Sequence, residues 1–160
     1  MASIQACLAG SQLARDQVIL YFPQGLPGFE RHHCFRIVDR ASLAPVACLQ
    51  SIDSPDLNLW VAPVAAIDRD YRLELSREDL RTLGFEEARQ PKSGEEVLSL
   101  ALLCAPDNGQ LTANLLAPVV VNLKTRVAVQ AVRTDRRYSH RHPILDTPAA
   151  SLEPETAPCS

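Results

Sequence analysis

With 160 residues, 46% of them apolar, the chain is long enough for one domain that buries roughly 70% of its unfolded surface. A formal net charge of −3 speaks against a nucleic-acid binder, which carries a strong basic excess. The cysteines Cys7, Cys34, Cys48, Cys104 and Cys159 are odd in number, far apart and without a C-x-x-C pair, so they read as free thiols of a reducing cytosol, not a disulfide framework or zinc site. No charged segment followed by an apolar core opens the sequence, and no run approaches the ~18 apolar residues of a membrane span, so neither a signal peptide nor a membrane partner is expected.

In chain order, 18–22 (Val-Ile-Leu-Tyr-Phe) are strand formers and stop at Pro23. Pro23 to Glu30 follows, with Pro23, Gly25, Pro27 and Gly28 fixing a turn and Leu26 and Phe29 as inward anchors. Residues 33–38 alternate, with Cys34, Arg36 and Val38 on one face and His33, Phe35 and Ile37 on the other. Strands are expected at 46–51 and 57–62, joined by the polar turn Asp53-Ser54-Pro55-Asp56. Ser76 is a helix cap, Asp79 sits at the third helical position, and Gly84 can close a short amphipathic helix from Arg77 to Leu83. Residues 86–96 are charged and suit a surface loop, 97–104 form a long apolar strand, and Asp107-Asn108-Gly109 signals a reversal.

Residues 112–122 are an apolar run bracketed by Asn114 and Asn122 and broken by Pro118. Proline has no N–H to donate, so this run is expected to be a bent or edge-lying strand, with the two carboxamides satisfying the backbone groups that Pro118 frees. A last strand falls at 126–132. The whole is expected to be mainly β, a small antiparallel barrel-like or sandwich domain with one short helix, spanning 1–143. The Pro-rich segment 144–160 is expected to be a disordered tail.

Three kinds of chemistry are compatible with clusters of polar residues in the chain. His140 and His142 would project from one side of a strand and could hold a metal if His32 and His33 joined them, giving a metal-dependent hydrolase. No G-x-S-x-G, P-loop or dinucleotide fingerprint is present. Arg133, Arg136, Arg137 and Arg141 could form an RNA-binding module, but Tyr138 is the lone stacking aromatic beside them. The carboxylates Glu74, Glu78, Asp79, Glu86, Glu87, Glu95 and Glu96 crowd the middle third and could meet a basic partner.

Four segments together carry a resemblance. They are Phe22–Glu30, Leu49–Leu57, Thr112–Asn122 and Tyr138–Pro143. In this order and spacing the chain resembles the bacterial flagellar assembly factor FliW family, from about Gly10 to about Ile144. The resemblance implies a barrel-like β fold with no catalysis, no cofactor and no metal. It implies a cytoplasmic protein that binds flagellin and the translational regulator CsrA, relieving repression of flagellin mRNA without touching nucleic acid itself. The polar turn residues Gln50, Ser51, Asp53 and Asp56, with the acidic Glu86 and Glu87, are the expected partner contacts.

Overall fold

The computed structural model describes residues 18–106 and 109–144. Among these residues eight strands form one antiparallel sheet: β1 (Ile19–Tyr21), β2 (Cys34–Asp39), β3 (Ala47–Ser51), β4 (Asn58–Pro63), β5 (Val97–Cys104), β6 (Thr112–Asn122), β7 (Ala128–Gln130) and β8 (His142–Pro143). Strands β1 to β7 pair in sequence order, and β8 joins the far end of β6. The sheet curls until its two ends meet at one point, where the Tyr21 N–H donates to the Arg126 carbonyl at 3.1 Å. The result is a nearly closed barrel, one of the two architectures that the strand count and turn spacing leave open.

Two short helices decorate it. The expected one is α2 (Arg77–Leu83). Ser76 accepts from the Asp79 N–H at 3.1 Å, the Asp79 carboxylate accepts from the Ser76 hydroxyl, and Gly84 closes the helix at φ 82°. The other, α1 (Val64–Ile67), leaves β4 directly at Pro63 and was not foreseen. It is a single turn with one buried residue, too short for a helical period to show in sequence.

The apolar side chains sort into three cores. Inside the barrel, Val18, Leu20, Phe22, Phe35, Ile37, Leu49, Leu59 and Val119 pack together, with Phe22 and Phe35 edge to face at 5.4 Å. Leu26 is buried there and Phe29 packs on its rim, so the turn anchors act as expected. Gly25 is required at this turn: its φ is 66°, and a Cβ would lie 2.7 Å from the Glu30 backbone. A second core gathers Cys48, Trp60, Val64, Leu111 and Leu115. A third lies under α2, where Leu80 and Leu83 meet Val120, Val129 and Ala131.

Strand β6 departs from expectation. It is an interior strand, flanked by β5 on one side and by β7 and β8 on the other. Pro118 is tolerated because it falls where the ladder to β5 slips, between the pairs Val119–Leu100 and Asn114–Leu102. On the other side it lies just past the last residue of β7, where its carbonyl still accepts the Ala131 N–H. The bend is real, and the edge is not. Only one carboxamide does what the sequence suggests: Asn114 accepts from the Ala117 N–H at 3.0 Å, inside the slip, whereas Asn122 serves groups away from Pro118. Asn122 is buried, donates to the Leu83 carbonyl at 2.8 Å and accepts from the N–H groups of Lys124 and Thr125.

The cysteines divide. Cys34 and Cys48 are free thiols, but Cys104 is disulfide-bonded, which corrects the reading of free thiols throughout. Residues 145–160, most of the expected tail, and Asp107-Asn108 of the expected reversal lie outside the described residues. Gly109 adopts φ 83° and donates to the Pro106 carbonyl, and the Ile144 N–H donates to Leu111.

Candidate partner-binding surface

The outward face of β1, β2 and β3 is set by pairing register. Ile19 lies opposite Arg36, and Arg36 opposite Gln50. One row along, Tyr21 lies opposite Cys34, whose carbonyl accepts from the Ile52 N–H at 2.9 Å. Tyr21 is 48% exposed, Ile19 44% and Ile52 38%, so three of the four exposed large apolar side chains among the described residues sit on this one face. Isolated apolar residues at a surface are ordinary; these three share one sheet face. Alternation explains the arrangement: Val18, Leu20 and Phe22 turn inward, which forces Ile19 and Tyr21 outward.

The polar turn borders this face. Asp53 and Asp56 are exposed at its tip, beside Ile52. Gln50 is half-buried and donates to the Pro55 carbonyl at 3.0 Å, and Asn58 donates to the same carbonyl. Ser51 is a correction: it is fully buried, its hydroxyl accepts from the Ser54 N–H, and His32 Nδ1 lies 2.9 Å away. It pins the turn from inside and cannot touch a partner. The Ser51–His32 pair has the spacing of a nucleophile and base, but the serine is sealed in and the imidazole packs between Phe29 and Phe35.

Glu86 and Glu87 are exposed on the loop after α2. The acidic middle is largely neutralised by its own arginines and lysine. Arg81 holds Glu87 at 2.6 Å, Lys92 reaches Glu95, and Arg89 grips Glu96 with two bonds at 2.8 and 2.7 Å. The Arg89 guanidinium, helped by the Lys92 N–H, holds the Glu96 carboxyl down at about 2. The sequence placed this acid in bulk but could not show which charges were already paired, because these pairs close across loop turns.

The basic end is also partly consumed by the fold. Arg133 is buried, bonded bidentately to Asp135 at 2.8 and 2.6 Å and donating to the Arg72 carbonyl. Its guanidinium lies 5.0 Å from the Tyr138 ring and 5.9 Å from the Tyr71 ring. Hydrogen bonding to Asp135 raises its already high pKa, and Arg133 in turn holds Asp135 below its usual value. Tyr138, the lone stacking candidate, accepts from the Arg72 N–H and so belongs to this cluster. The cluster was invisible in sequence because its members lie more than 60 residues apart. Among the described residues no three of His, Cys, Asp or Glu gather as a metal site, and no helix is long and apolar enough to cross a membrane.

Comparison with known proteins gives the family. The model of the FliW protein family matches residues 4–144. The flagellar assembly factor FliW of Syntrophomonas wolfei is 32% identical over 143 residues, covering 89% of this chain and 88% of that protein. That of Pseudothermotoga lettingae is 34% identical over 132 residues, covering 82% and 81%. A crystal structure of a flagellar assembly factor FliW superposes with a TM-score of 0.65 at 26% identity, covering 78% of this chain and 84% of that one. The chain therefore belongs to the FliW family of flagellar assembly factors, regulators and not enzymes.

Proposed function

We propose that this protein is a cytoplasmic regulator that binds flagellin and antagonises CsrA, relieving repression of flagellin translation. The observation that carries the reading is the outward face of β1–β3, where Tyr21, Ile19 and Ile52 stand exposed beside the carboxylates of Asp53 and Asp56. An apolar centre with a charged rim is the composition of a protein-binding surface. The family membership supports a role in flagellar assembly. An RNA-binding regulator has a basic surface, and exposed carboxylates such as Glu86 and Glu87 would meet it by charge. Arg81 can release Glu87 at small cost, since exposed ion pairs contribute little.

The test is calorimetric titration of the purified chain with purified flagellin and, separately, CsrA. Binding to both is expected. Tyr21→Asp combined with Ile52→Asp should weaken flagellin about tenfold or more while leaving the thermal midpoint in place. Failure to bind either partner would sink the reading.

A further inference from the structure

The loop from Arg136 to Arg141 carries Arg136, Arg137 and Arg141 and no carboxylate. All three arginines are exposed, as is His140 between them. Among the described residues none of the three enters an ion pair. Asp135, the carboxylate just ahead of them, is already gripped by the buried Arg133 guanidinium at 2.8 and 2.6 Å.

The fold fixes this loop at several points. The Tyr138 hydroxyl accepts from the Arg72 N–H at 3.0 Å, and its ring centroid lies 4.3 Å from that of Tyr71. The Ser139 carbonyl accepts from the Leu115 N–H at 3.0 Å, and the Ser139 hydroxyl accepts from the Arg141 N–H at 3.0 Å. Beyond Arg141 the chain enters β8, where His142 pairs with Ala113 of β6. A ligand therefore has only side chains to order, which lowers the entropy cost of binding. The loop spans at most about 20 Å, so one short peptide can meet all three guanidiniums.

We infer that this loop docks an acidic segment of a partner protein, a short stretch bearing two or three Asp or Glu side chains. Guanidinium and carboxylate match as two parallel N–H···O bonds, a geometry that lysine does not offer. Nucleic acid fits the loop less well. Strand binding combines cations with open aromatic faces, and the Tyr138 ring is already packed among Tyr71, Arg133 and Arg137. A chain of net charge −3 also lacks the broad basic field of a nucleic-acid binder. The loop shares no residue with the β1–β3 face or with Glu86 and Glu87. Its failure would leave the flagellin and CsrA readings standing.

The experiment titrates the isotope-labelled full chain with a short glutamate-rich peptide, read by amide NMR. The amides of Arg136, Arg137, His140 and Arg141 should shift together, and affinity should fall with salt. Arg136→Gln with Arg141→Gln removes two charges that take no part in holding the loop. It should weaken the peptide about tenfold and leave the thermal midpoint in place. Four results would overturn the inference: no shift at those amides, equal binding of a lysine-rich peptide, tighter binding of a single-stranded oligouridylate, or a concentration-dependent dimer that shifts the same amides without peptide.

Discussion

Asn122→Ala isolates the contribution of one carboxamide to the helix–sheet junction. The side chain makes three bonds: to the Leu83 carbonyl, and from the N–H groups of Lys124 and Thr125. The Leu83 carbonyl is among the last of α2, has no intrahelical partner and is reached here in a buried setting. Stranding it costs about 1–3 kcal/mol. Lys124 and Thr125 are exposed, so water replaces their bonds and each adds no more than about 0.5 kcal/mol. The expected loss is about 2–3 kcal/mol, or about 5–10 °C in thermal midpoint for a chain of this size. Urea unfolding followed by the fluorescence of Trp60, the only tryptophan, measures it.

Asn122→Asp adds a sign. That variant keeps both acceptor bonds but points a carboxylate oxygen at the Leu83 carbonyl. Only its protonated form can donate there, so the folded state raises the carboxyl pKa. The stabilisation relative to Asn122→Ala is then full below the unfolded value near 3.9 and is lost as pH rises through the higher folded value. An Asn122→Ala loss below about 0.5 kcal/mol, or a pH-independent gap between the two variants, would refute the reasoning.

Glu96→Gln should behave in the opposite sense. The folded pKa of Glu96 is lowered to about 2, so the stabilisation is present above the unfolded value and disappears as pH falls from 4.5 toward 2; the wild-type and variant acid-unfolding curves should converge over that window. Val120→Ala removes two carbons from a fully buried site under α2 and should cost about 1–3 kcal/mol by the same urea assay. Glu86→Lys with Glu87→Lys should weaken CsrA, flatten the salt dependence of its binding and leave stability nearly unchanged; unaltered affinity would move the contact elsewhere.

The sequence carried β1 to β7, the capped helix and the role of Asn114, because each is written in neighbouring residues. Ser76, Asp79 and Gly84 form a local code, and alternation alone sends Phe35 and Ile37 inward. What it could not carry depended on pairing at a distance. The interior position of β6 needed the slip at Leu100, a property of two strands together. Val18–Phe22 is apolar throughout, so nothing marked Ile19 and Tyr21 as the outward pair. Ser51 looked like a surface residue in a polar turn until His32 and the Ser54 amide closed over it.

The Tyr71–Arg133–Tyr138 cluster also bears on when the protein can first act. Arg72 is tied to Tyr138 across 66 residues, and the Leu115 N–H donates to the Ser139 carbonyl. At synthesis rates of about 5–20 residues per second, the segment around Tyr71 waits several seconds after leaving the ribosome before its clamp exists. During that interval the ring of Tyr71 and the neighbouring apolar side chains have nothing to cover them. A nascent chain halted before Arg133 should therefore be a substrate for chaperones and proteases, while the released chain is not.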